Sequence, residues 1–140
     1  MNGHEYLFRG KRKDNGEWAE GNLVICADRY FIYVLIGNEV VDFEVIPQSV
    51  GQYTGLTDKY RKKIFEGDVV RETCTSGEWT GFVSYGVTTF KKGAFGILKD
   101  KDLFSPFNSK DEKEVINNIF NIACDIAEYA TECIKTWKNE

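Results

Sequence analysis

The segment from Arg29 to Ile36, R-Y-F-I-Y-V-L-I, follows one arginine with an unbroken run of aromatic and branched aliphatic residues. The run is far shorter than the roughly 18 apolar residues that a membrane-crossing helix needs. Its composition favours a pleated strand, either buried on both faces or lying at a subunit contact. Around it, strand-forming runs alternate with turn signals. Residues 5–10 (E-Y-L-F-R-G) and 17–26 (E-W-A-E-G-N-L-V-I-C) read as strands joined through Asn15-Gly16, a pair that tolerates positive φ and so favours a tight hairpin. Gly37-Asn38 turns the chain into E-V-V-D-F-E-V-I, and Pro47 ends that strand because proline cannot donate to the ladder.

The pattern continues. Residues 68–74 read as a strand, T-S-G-E as a turn and residues 79–86 (W-T-G-F-V-S-Y-G) as the partner strand. The two-residue period puts Trp79, Gly81, Val83 and Tyr85 on one face, with a bulge or bend at Gly81. T-T-F, K-K-G-A and F-G-I-L form another hairpin, and residues 99–111 are the loosest stretch. The period changes near the C-terminus. Ser109 and Glu112 have capping-box spacing, and apolar residues from Val115 to Trp137 cover about half the circumference of a helix. The expectation is mostly β structure closed by a C-terminal α-helix over 110–138, an α+β fold. It is read as one domain over 1–140 that divides at most into sub-lobes 1–50 and 51–108. The helix face made by Ile119, Phe120, Ile126, Tyr129, Cys133 and Trp137 is wide enough to suit self-association.

With 18 basic and 22 acidic residues, the net charge of -4 opposes bulk attraction to nucleic acid. Two basic runs qualify that: Arg9, Lys11, Arg12 and Lys13, and Lys59, Arg61, Lys62 and Lys63. The N-terminal residues lack the apolar segment of a signal peptide, so a cytoplasmic location is expected. Cys26, Cys74, Cys124 and Cys133 form no C-x-x-C pair, and His4 is the only histidine, so zinc has no usual ligand set. The four cysteines read as small packing residues. Phosphate-cradling and nucleophile-elbow motifs are absent, and no cofactor is expected.

One segment is more specific than these patterns. Pro47, Gly51, Gln52, Tyr53, Thr54, Gly55, Leu56, Asp58, Lys59, Ile64, Glu66, Gly67, Asp68, Val69 and Val70 match the signature of the YopX family, which this chain resembles over residues 1 to about 100. Y-L-F-R-G-K-R-K-D-N-G-E-W fits the family's N-terminal part. The family's D-K-N-G is Asp58-Lys59-Tyr60-Arg61 here, which removes a glycine and opens the loop to another conformation. The family's terminal strand E-V-I-G-N-I corresponds to E-V-I-N-N-I, residues 114–119, against which the helical period argues. The resemblance implies a bacteriophage or prophage protein without an assigned activity, with N-terminal hairpins and a small SH3-like barrel.

The residues of the signature have structural tasks. Gly55 supplies positive φ, Leu56 plugs the core, Asp58 holds the amides of the next loop, and Glu66-Gly67-Asp68 bends the chain into a strand. With Gln52, Tyr53 and Thr54 they also form a candidate binding surface. Three functions follow for test. The first is a non-enzymatic module binding a host or phage macromolecule, with self-association through the helix face. The second is a nucleic-acid-binding barrel using the two basic runs. The third is a carboxylate- or metal-dependent enzyme at Asp58, Glu66 and Asp68.

Overall fold

A computed structural model describes residues 6–100 and 103–120 of the 140. The chain divides into two compact units, Met1–Gly55 and Leu56–Glu140. The first contains β1 (Phe8–Lys11), β2 (Trp18–Cys26), β3 (Arg29–Ile36), β4 (Glu39–Val45), a 3-10 turn at Pro47–Ser49, and most of β5 (Gly51–Thr57). Its strands lie in the order β4-β3-β2-β1-β5, and β6 (Lys63–Phe65) follows β5 at the end of that sheet. Gly16, at φ 74, turns β1 into β2, as the Asn-Gly signal requires. β3 pairs with β2 from Asn22↔Tyr33 to Cys26↔Arg29, and with β4 from Tyr30↔Val45 to Ile36↔Glu39. Ala19, Ile32 and Val45 are buried, with Phe8, Leu23, Tyr30, Val34, Phe43 and Val50 packed against them. Only Ile32 of β3 is fully enclosed; Tyr33, Leu35 and Ile36 remain exposed.

The second unit carries β7 (Asp68–Thr73), β8 (Val83–Lys91), β9 (Ala94–Asp100), β10 (Leu103–Pro106) and β11 (Glu112–Asn118), in the order β10-β9-β8-β7-β11. All its pairs are antiparallel. β7 alternates buried and half-buried residues, the period of a strand with one face on a core. That core is Ile64, Val70 and Ile97, with Phe107 and Val115 against it.

The fold class is therefore all-β among the described residues, which corrects the expected α+β architecture. The expected helix fails at its start. Residues 112–118 form β11, which pairs with β7 from Glu112↔Thr73 to Asn118↔Asp68 and shifts register between Val115 and Asn117. The reason is tertiary. Without β11, β7 would leave a row of unpaired backbone groups beside a buried core, and that row outweighs a local helical period. Most of the proposed helix, residues 121–138, lies outside the described residues. The SH3-like barrel is corrected too: the described strands of the second unit form an open sheet with ends at β10 and β11. Two smaller expectations change. Leu56 is 36% exposed rather than a core plug, and the strand expected from Trp79 begins only at Val83. No helix among the described residues is long and apolar enough to cross a membrane.

Candidate interaction surface

The two buried carboxylates of the signature serve the backbone. Asp58 Oδ1 accepts from the amides of Tyr60 (2.8 Å) and Lys62 (2.9 Å), and its Oδ2 from Val115 N (3.1 Å). Asp68 Oδ2 accepts from Phe65 N at 2.8 Å, and its Oδ1 lies 3.4 Å from the Asn118 amide nitrogen. Gly67, at φ 91, forms the corner between them and β6; its N–H donates to Thr88 O and its carbonyl accepts from Ile119 N. A carboxylate whose lone pairs are filled by fixed amides has little left for a metal or a substrate proton. No group of three or more potential metal ligands occurs among the described residues. Glu66 is half-buried beside this corner. Gln52 is half-buried, Tyr53 and Thr54 are buried in β5, and Gly55 has φ 87 within that strand. Arg61 stands where the family's loop has glycine, and it keeps a left-handed backbone at φ 67.

The first basic run is engaged inside its own unit. Arg9 is buried and stacks 4.6 Å from the Trp18 ring centroid, with Lys11 5.9 Å from the same ring. Arg12 pairs with Asp14 and covers Phe43 at 3.9 Å, and Lys13 pairs with Glu44 at 3.0 Å. Hydrogen bonds from Arg29 and then Lys13 hold Glu44 down at about 2. Of the second run, Lys59 lies 3.7 Å from Glu114. Arg61 and Lys62 are exposed, and Lys63 is half-buried. The two runs belong to different units. Of the helix face, Ile119 is buried within its own chain and Phe120 is half-buried. Ile126, Tyr129, Cys133 and Trp137 lie outside the described residues, as does His4. Cys26 is exposed rather than the packing residue expected, and Cys74 is half-buried.

What sequence reasoning missed is the loop from Cys74 to Phe82. The period of a strand puts Trp79, Val83 and Tyr85 on one face but does not say that they meet water; Trp79 is 68% exposed and Phe82 56% on the loop, with Val83 39% and Tyr85 54% at the start of β8. The loop is nonetheless well tied. Cys74 and Phe82 close it with Cys74 N donating to Phe82 O, and Gly81 N donates to Cys74 O at 2.7 Å. Phe82 N donates to Trp79 O, Thr80 Oγ1 to Gly77 O, and Thr75 Oγ1 to Lys110 O. Gly77 (φ 79) and Gly81 (φ 90) provide the reversals. The Trp79 and Phe82 rings meet edge to face, centroids 5.9 Å apart. In β7, Arg71, opposite Tyr85 on one side and Glu114 on the other, is held charged by hydrogen bonding to Tyr85 and then by the Glu114 carboxylate. The signal that could have found this surface was the pair of glycines around Trp79, which a strand does not need and a loop does.

Comparison with known proteins follows this geometry. No curated protein matches the chain. The family model for YopX protein matches residues 7–123, which include both units' described strands and both buried carboxylates of the signature. The chain therefore belongs to the YopX family.

Proposed function

We propose that this chain is a non-enzymatic binding module that meets a protein partner of host or phage origin on the Trp79, Phe82, Val83 and Tyr85 platform. One observation carries the reading: large apolar side chains stand in water on a loop whose backbone is fixed by hydrogen bonds and on the first residues of the strand that follows it. Exposed aromatic anchors held in one conformation lose little side-chain freedom on binding, and Trp and Tyr dominate interface energetics for that reason. The acidic signature residues support the same reading from the other side, since backbone amides already fill Asp58 and Asp68. In this reading the compartment is the host cytoplasm, where the free thiols of Cys26 and Cys74 stay reduced.

The test is a tagged pull-down from host lysate, split into nuclease-treated and untreated halves, with wild-type protein and Trp79→Ala/Phe82→Ala side by side. The expected result is a protein retained in both halves by wild type and lost by the variant. Retention by both proteins overturns the platform, and loss with nuclease turns the reading toward nucleic acid. Light scattering across concentrations gives the oligomeric state in the same preparation.

A further inference from the structure

Four strands border the two sheets, and three carry devices that stop a sheet edge from recruiting other strands. β6 is only three residues long. β10 is four residues, has a register shift between Leu103 and Phe104, and ends on Pro106. β11 has its own register shift, and its free side meets the Asp58 loop, with Val115 N donating to Asp58 and Lys59 N to Lys113 O. β4 is different. It runs seven residues in unbroken register with β3 and contains neither lysine nor proline.

One end of the β4 edge is already occupied, and the occupant indicates what the rest accepts. Arg12 bridges Val45 in antiparallel sense, Lys13 N donates to Glu44 O at 3.0 Å, and Lys13 Nζ pairs with Glu44 at 3.0 Å. The chain thus lays a short basic strand against an acidic residue of β4. Because the Glu44 carbonyl points away from β3, the two-residue period points the backbone groups of Asp42 and Val40 the same way. No backbone hydrogen bond reaches Glu39 to Phe43 on that side among the described residues. Asp42 is exposed and has no cation partner there, and Val40 (65% exposed) stands beside its cross-strand neighbour Leu35 (69%).

We propose that the Glu39–Phe43 edge of β4 is a strand-addition site for an extended segment of another protein in which a lysine or arginine is followed two residues later by an apolar residue, the spacing that puts both on the face of Asp42 and Val40. Its backbone would continue the ladder, the cation would face Asp42 as Lys13 faces Glu44, and the apolar side chain would cover Val40 and Leu35. A second copy of this chain is the poorer occupant. An antiparallel β4 pair would bring Glu39, Asp42 and Glu44 of both copies together without a cation from either strand.

The probes are an acetylated, amidated peptide Thr-Thr-Lys-Thr-Val-Thr-Thr, whose lysine and valine share one face of an extended strand, and its counterpart with glutamate for lysine. Binding is read by fluorescence anisotropy and by amide hydrogen exchange of the full chain. The lysine peptide is expected to bind at least about tenfold more tightly, the factor that one well-placed charge pair supplies. It should slow exchange at Val40 and Asp42. Val40→Pro removes an outward N–H that β3 does not use, a placement an edge strand accepts, and should weaken binding tenfold or more. Asp42→Lys should do the same and keeps the test decisive if the proline variant fails to fold. Equal binding of the two peptides, no binding, or protection confined to other strands overturns the proposal. Slowed exchange at Val40 that rises with protein concentration alone places a second copy on the edge and overturns it as well.

Discussion

The loop from Asp58 to Lys62 is organised by one buried carboxylate, whereas the loop from Cys74 to Phe82 is organised chiefly by its own backbone. In the first, Asp58 gathers three amides drawn from its own loop and from β11. In the second, Cys74, Gly77, Trp79, Gly81 and Phe82 satisfy one another's main-chain groups, and the side chains are left facing water. The difference separates residues that hold the chain together from residues available to a partner. Acidic side chains in a signature invite a catalytic reading, but Asp58 and Asp68 accept from backbone amides, so their removal is expected to damage the fold. Removal of the exposed aromatic side chains is expected to leave it intact.

Substitutions test that contrast, beginning with the largest effect. Asp58→Ala leaves the amides of Tyr60, Lys62 and Val115 without their acceptor and is expected to cost about 3 kcal/mol in urea unfolding. Asp58→Asn keeps one acceptor oxygen and should lose about half as much. A loss below about 0.5 kcal/mol for the alanine variant would return Asp58 to the list of functional acids.

Thr88 is fully enclosed, and its hydroxyl has no hydrogen-bond partner among the described residues. Thr88→Val replaces a buried, unsatisfied hydroxyl by a methyl of the same shape and should stabilise the protein by about 1 kcal/mol. Arg61→Gly should stabilise it by about 0.5 kcal/mol. A left-handed backbone costs a non-glycine residue about 1–2 kcal/mol, and glycine's extra freedom in the unfolded chain gives part of that back. Unchanged melting for Arg61→Gly would mean that its side chain compensates the backbone.

Glu72 and Glu44 make a second contrast, read through pH. Burial lifts the Glu72 carboxyl above its ordinary 4.5, outweighing the Asn108 amide that it accepts and the attraction of Lys113, whose ammonium lies 3.9 Å away. The unfolded chain then releases this proton first, so Glu72's contribution is largest below pH 4.5 and declines as pH rises through its folded pKa. Glu44 runs the other way: its contribution is present above pH 4.5 and is lost as pH falls towards about 2. The unfolding free energy of Glu72→Gln minus that of wild type should therefore rise between pH 4 and pH 7, and a flat difference would exclude the burial effect. The smallest effect on stability is expected at the aromatic platform. Trp79→Ala should change unfolding by no more than about 0.5 kcal/mol, and a larger loss would make Trp79 part of the fold rather than a partner's anchor.

Much of the first unit was legible. Asn15-Gly16 placed the first hairpin, the Arg29–Ile36 run became β3 with the same bounds, and Pro47 marked the end of β4. These signals are local, carried by residues that adjoin in sequence. The Asp58 and Gly67-Asp68 geometry was legible for the same reason, since an aspartate bonds amides a few residues away. β11 was legible only through the family resemblance, which offered residues 114–119 as a strand, because Val115 and Ile116 by themselves satisfy a helical and a pleated pattern alike. The exposure of Trp79 was missed because a two-residue period looks the same whether a strand starts at 79 or at 83.

The sequence by itself determined where strands and turns fall over most of the chain, and the family to which they belong. Glycine, proline, asparagine and aspartate restrict or bond their own backbone, and that needs no distant partner. Tertiary structure alone decided that residues 112–118 extend a sheet, that the Trp79 loop faces water, and that β4 keeps an open edge. Each of those depends on which strand lies alongside, and strand pairing joins residues far apart in the chain: Val70 meets Val115, and Glu72 meets Lys113.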